Sequence, residues 1–329
     1  MKPRVFAIAA ILAVGILSAV PSSAAPPCDR KPNHPRCLTA SPSPVPPTVA
    51  PTAGTPRLTF GLGSQTESAI TSPLTLSAPV KILSNWYNGP HDLGWITDDH
   101  HQRIYADAKS RGYRLHLITW TNVPEAPISG KGCGRAYPVS AGWPDDIVAV
   151  VDAMRPEYVT LMTEFQTYAC VDNRWSGNEA YWQALIANFA AVTPRLRALG
   201  SKVSIGWGGW QAYTDRTLEP AFLALDEDFR SFQAMHGVSN VEASRAMTKL
   251  LGPGPVMQAH HMPDADSNPP EVVYATFAED FRQLFGSEAS VQSLVADGLF
   301  AWSIVDDKGW SEDPDTFALV RDAIIRWGR

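Results

Sequence analysis

Eight short apolar runs, at 58–62, 80–86, 113–120, 158–163, 202–207, 229–235, 256–260 and 299–305, recur along the chain with stretches of helical character between them. Runs of this length, rich in Val, Ile, Leu, Phe, Tyr and Trp, read as strands buried on both faces. Helical signals lie at 97–111, 145–154, 178–199, 241–251, 274–285 and 315–327, and Gly112 and Gly200 stop two of them. Alternation of this kind implies a parallel sheet, because parallel neighbours can be joined only by a crossover. An open, doubly wound sheet would carry a glycine-rich phosphate turn after its first strand. Here Gly61-Leu62-Gly63 lacks the third glycine, and no clear helix follows it. Eight units over about 270 residues instead predict an α/β architecture closed into a single (β/α)8 TIM barrel, residues 58–329.

What precedes the barrel is not built to pack. Lys2 and Arg4 flank an apolar run at 5–20, and Pro21-Ser22-Ser23-Ala24-Ala25 follows it, so 1–25 reads as a cleavable secretory signal. The run falls short of the roughly 20 apolar residues that a membrane span requires, so no stable span is expected in the mature chain. Residues 26–57 hold Cys28 and Cys37 and then a stretch dominated by Pro, Ser, Thr, Ala and Val, with no charge or aromatic from 38 to 56. Such a segment cannot bury enough surface to fold and reads as an extended linker.

Export sets the expectation for the four cysteines. In an oxidising compartment they are expected as two disulfides, Cys28 with Cys37 and Cys133 with Cys170, and no CxxC spacing suggests a metal site instead. A net charge of −6 without a long basic run argues against nucleic-acid binding by phosphate neutralisation. An extracellular glycan is the partner expected of a monomeric domain of this composition, with no cofactor.

In such a barrel, function gathers where the strands end. Those ends read, in order, Gln65 and Glu67; Asn85, Trp86 and Tyr87; Trp120 and Asn122; Glu164 and Gln166; Trp207, Trp210 and Gln211; Gln233 and His236; Gln258, His260 and His261; then Trp302, Asp306, Asp307 and Trp310. Six of the 11 tryptophans fall in this set, and indole faces beside amides and carboxylates suit sugar rings and their hydroxyls. Substrate contacts are therefore expected from Asn85, Trp86, Trp120, Gln166, Trp207, Trp210, His236, Gln258, His260, Trp302, Asp307 and Trp310. Helical tryptophans such as Trp182 and Trp327 read as packing.

Glu164 ends the very apolar run 158–163, where a carboxylate loses solvent, the setting of a general acid. With this glutamate and the late Trp302, the chain resembles the (β/α)8 glycoside hydrolase superfamily, in which an acid/base glutamate follows the fourth strand. The resemblance covers the whole barrel in architecture and implies cleavage of O-glycosyl bonds by carboxylate acid/base chemistry. Two positions depart from it. Thr163 stands where asparagine usually precedes the glutamate, and the seventh strand offers Gln258, His260 and His261 where the superfamily places its nucleophilic glutamate. Glycoside cleavage takes two carboxylates, about 5 to 5.5 Å apart for retention and about 6.5 to 9.5 Å for inversion. Asp306 is the expected partner of Glu164, acting as base, with Asp307 beside it and Glu67 in reserve.

The seventh-strand departure motivates an alternative, a glycan-binding protein on a barrel that has lost its catalytic pair. A metal-assisted hydrolase is a third reading, with His260 or His261 joined by His236 or Asp306. Adjacent histidines on a strand point to opposite faces, and neither an HExxH nor a His-x-His pair occurs, so no metal is expected. His100 and His101 read as solvated, and His116 carries no signal.

Overall fold

The structure is a computed structural model that describes residues 55–63, 65–120, 142–165, 179–209, 219–235, 239–262, 269–305 and 309–329. The signal, the linker up to residue 54 and all four cysteines with their expected disulfides lie outside the described residues.

Eight strands form one closed barrel in sequence order: β1 (Thr59–Leu62), β2 (Val80–Tyr87), β3 (Arg114–Trp120), β4 (Tyr158–Thr163), β5 (Lys202–Gly208), β6 (Arg230–Ala234), β7 (Val256–His261) and β8 (Leu299–Ile304). Every neighbouring pair is parallel, and β1 closes onto β8. The (β/α)8 barrel expected from the alternation is the fold that forms. Among the described residues the helices are α1 (Thr66–Thr71), α2 (Pro73–Ser77), α3 (Pro90–Ile96), α4 (Asp99–Ser110), α5 (Trp143–Met154), α6 (Glu179–Ala198), α7 (Glu219–Leu223), α8 (Val241–Leu251), α9 (Pro270–Phe285), α10 (Glu288–Ala296) and α11 (Pro314–Trp327). None of these described helices is long and apolar enough to cross a membrane.

Local chemistry explains where the longer helices begin and end. Asp98 accepts the His101 amide at 2.8 Å and starts α4, and Gly112, with φ 84°, lets the chain turn away after it. In α5, Pro144 sits in the first turn with Asp145 and Asp146, and the buried residues Ile147, Val150, Val151 and Met154 fall on one stripe. Asp313 caps α11 by accepting the Thr316 amide at 2.9 Å, and Thr316, Val320, Ile324 and Trp327 bury its inner face.

Side chains alternate between two cores. Outward-facing strand residues such as Phe60, Leu83, Leu161, Val203 and Phe232 pack against the helices in one large apolar layer. Inside the barrel, a smaller plug of Ile82, Tyr158, Phe229, Met257 and Ala301 fills the end where the strands begin, with the Tyr158 and Phe229 rings edge to face at 5.4 Å. Above that plug the interior turns polar. Ser84, His116, Thr160, Ser204, Ser231 and Ser303 are all fully buried there. His116, unmarked in the sequence, is the hub: its Nε2 lies 2.8 Å from Thr160 Oγ1 and its Nδ1 3.5 Å from Ser84 Oγ. The barrel axis therefore rises from an apolar base through a hydrogen-bonded middle to the mouth at the strands' C-terminal ends.

Candidate active site

β4 is buried along its length, and its last turn of backbone is irregular. Met162 and Glu164 take left-handed conformations, φ 54° and 52°, which cost a non-glycine residue roughly 1–2 kcal/mol each. Several contacts hold them. The Glu164 amide donates to the Gly206 carbonyl at 2.8 Å, and the Met162 amide to Thr119 Oγ1 at 3.3 Å. On the helix side, the Phe165 ring stacks on Phe222 at 4.3 Å and meets Trp207 edge-on at 5.3 Å. β5 approaches so closely that a Cβ on Gly206 would stand 2.7 Å from Thr163 Cα. Glu164 is thereby fixed at the rim with only 1% of its surface exposed.

On β6, Ser231 faces inward, since its Oγ meets Thr160 at 3.0 Å and Ser204 at 2.8 Å. Gln233, two residues on, shares that face. On β7, Phe232 pairs with Gln258 but Gln233 pairs with His260, so the ladder skips Ala259. That bulge turns His260 inward, where its ring lies 4.6 Å from Trp86 of β2. His261 consequently points outward, against Phe277 and Phe281 of α9. The two histidines face opposite ways, as expected of neighbours on a strand. Among the described residues no three His, Cys, Asp or Glu side chains gather as a metal cluster.

Burial keeps both inward rings neutral. The His116 ring is pushed down to about 3 by burial alone. The His260 ring is held well below the ordinary imidazole range by burial and by His116, against a weaker pull from the Gly63 carbonyl.

Several expected contacts prove to be structural. Trp207 faces outward and is fully buried against Phe165 and Phe222. Trp302 faces outward from β8 onto Phe285 and His261, at 4.9 and 5.0 Å. Trp310 stacks on Phe277 at 4.8 Å and donates its indole N–H to the Val305 carbonyl at 2.7 Å. An indole enclosed in this way has no face left for a sugar, which corrects the platform role of all three. Asn85 also faces outward, and its Oδ1 accepts the Thr66 amide at 3.1 Å, satisfying the start of α1. Gln258 lies behind β7, with Nε2 3.0 Å from His261 Nδ1. The reserve carboxylate Glu67 is exposed on α1 and pairs with His100 at 3.1 Å.

Of the expected contacts, Trp86 and His260 do face the mouth. Gln233 joins them, and sequence reasoning placed it among the strand ends without singling it out. Its strand position, two residues after the inward Ser231, was the available signal. Gln166, Trp210, His236, Asp306 and Asp307 lie outside the described residues, as does the side chain of Trp120. The described mouth thus offers one partly exposed indole and two uncharged hydrogen-bonding side chains, and the β4 end nearby carries the almost wholly buried Glu164.

No family model matches the sequence, and no curated protein matches it significantly. Among solved structures, a GH5-4 broad specificity endoglucanase from an uncultured bacterium is similar with a TM-score of 0.52 at 8% identity, over 82% of this chain and 94% of that one. A GH113 beta-1,4-mannanase gives 0.49 at 11% identity, over 82% and 99%. A D-psicose 3-epimerase also gives 0.49 at 11% identity, over 82% and 100%. At such identities it is the fold that is shared, and in fold the chain resembles the (β/α)8 glycoside hydrolases.

Proposed function

We propose that the chain is a secreted glycoside hydrolase that cleaves O-glycosyl bonds of an extracellular glycan, with Glu164 as general acid and Asp306 as base. The observation that carries this reading is the state of Glu164. A carboxylate at the end of β4 is almost wholly buried, its backbone is left-handed and bonded to Gly206 of β5, and Met162 two residues before it, also left-handed, is bonded to Thr119 of β3. Strained residues of this kind gather at functional sites, where position matters more than local stability. A carboxylate at the strand end where barrel enzymes carry their chemistry is suited to protonating a glycosidic oxygen. The leader at 1–25 supports export.

The test is release of reducing ends from a panel of neutral polysaccharides. Glu164→Gln is expected to lower the rate on the order of 10²- to 10⁴-fold while oligosaccharide binding persists. Retained cleavage by that variant overturns the assignment of the acid. Asp306→Asn tests the base in the same assay, and the anomer first formed distinguishes inversion from retention.

A second reading, glycan binding without cleavage, is favoured by one observation. β7 ends in Gln258, His260 and His261 rather than in a carboxylate. Binding without new reducing ends across the panel would select it.

A further inference from the structure

We infer that Gln233 and His260 together form the floor of a sugar subsite, where they recognise two adjacent hydroxyls of an uncharged ring. The inference rests on the reading of this chain as a glycan-acting protein and names the contact and the ligand class at that same mouth. The two residues are partners in the β6–β7 ladder, and neighbouring strands run about 4.8 Å apart. Both side chains are fully buried. Among the described residues neither Oε1 nor Nε2 of Gln233 has a hydrogen-bond partner, and the His260 ring has none beyond its weak approach to the Gly63 carbonyl. Native folds seldom leave such groups unpaired unless something else is to pair with them.

The contrast with the layer beneath makes this specific. His116, Thr160, Ser204 and Ser231 face the same interior and bond to one another. The Gln233 amide and the His260 ring lie above them, toward the mouth, where Thr163 Oγ1 has no partner among the described residues either, and in the middle layer Ser303 Oγ is the one hydroxyl left in the same state.

The chemistry of these atoms selects the ligand. A primary amide donates two hydrogen bonds and accepts at its oxygen, while a neutral imidazole donates one and accepts one. A hydroxyl both donates and accepts, so a vicinal diol matches the pair. A phosphate or carboxylate would call for a cation, and an ammonium group for an anion, and this pair supplies neither. Trp86 touches His260 and offers an aromatic surface beside the diol, as a ring with one apolar face requires.

The test measures affinity by titration calorimetry. It uses the full chain carrying Glu164→Gln and a panel of gluco-, manno-, galacto- and xylo-hexasaccharides, with oligogalacturonate as the charged control. Gln233→Met and His260→Phe, each added to that background, are expected to weaken the best ligand roughly 10- to 100-fold, with the melting temperature unchanged or raised. A ligand lacking one of the two hydroxyls should lose affinity for the parent but lose little more against Gln233→Met, because the two deletions remove one contact.

Unchanged affinity in both variants overturns the inference, as does a loss that follows a fall in melting temperature. Preference for oligogalacturonate overturns the uncharged class, and failure of every glycan to bind overturns the subsite together with the functional reading. Cleavage by the Glu164→Gln protein at the parental rate, with the affinity losses intact, removes the catalytic assignment and leaves the subsite standing.

Discussion

Thr160 Oγ1 stands 2.8 Å from His116 Nε2 at the centre of the barrel, and from Thr160 the hydroxyls continue to Ser231 at 3.0 Å and from there to Ser204 at 2.8 Å. The imidazole is neutral in the folded protein, pushed down to about 3 by burial, whereas the unfolded chain takes up a proton below about pH 6.5. The stability this group contributes is therefore fully present above pH 6.5 and is lost as pH falls toward 3. The urea midpoint should drop across that interval. His116→Met should make the drop shallower, while costing about 1–3 kcal/mol at pH 7 through the hydroxyls it leaves unpaired.

Glu227 works in the opposite direction. Burial pushes its carboxyl up to about 8, against the Ile205 amide that it accepts at 2.7 Å and Arg230 at 3.8 Å. The folded state thus holds a proton that the unfolded chain releases near pH 4.5, so stability declines as pH rises from there through about 8. Glu227→Gln keeps the acceptor for Ile205 and removes the charge. Thermal unfolding at pH 9 should show the variant several degrees more stable, and at pH 4 the two proteins should coincide.

Glu164 should be a liability to the fold. Its φ of 52° suits asparagine better than glutamate, because a short polar side chain tolerates the left-handed region. Glu164→Asn is expected to raise stability by about 1 kcal/mol in denaturant titrations while abolishing glycan cleavage. A loss of stability instead would mean that the carboxylate's contacts outweigh its backbone strain.

The tryptophans should divide into two groups. Trp302→Ala opens a cavity between β8 and α9 and should cost about 3–5 kcal/mol. Trp86→Ala, at a partly exposed ring beside His260, should leave the unfolding transition nearly in place and reduce oligosaccharide affinity. Calorimetric titration of both variants, alongside their melting curves, checks the division.

Strand positions were legible because parallel strands buried on both sides leave continuous apolar runs, and each predicted run ends within one residue of a strand end. Short helices such as α1, α2 and α7, five or six residues each, escaped because they complete too few turns to show a period. The candidate site was less legible, for a reason that Trp302 and His260 illustrate. A strand sends successive side chains to opposite faces, so naming the strand end does not settle which neighbour faces the mouth. Trp302 falls on the outward parity, between the inward Ala301 and Ser303. His260 would also fall outward, counted in steps of two from the inward Met257, and only the skip at Ala259 reverses it. No composition or spacing announces that skip.

At the barrel's base, the Leu58 amide donates to the Trp327 carbonyl at 2.9 Å and the Arg57 guanidinium to the Gly328 carbonyl at 2.7 Å. The first and last described stretches of the barrel are therefore already neighbours, at the pole opposite the mouth. A circular permutant that joined residue 329 to residue 57 through a few glycines could be reopened in the 252–255 turn, leaving the order of strands around the axis, and the rim they present, unaltered.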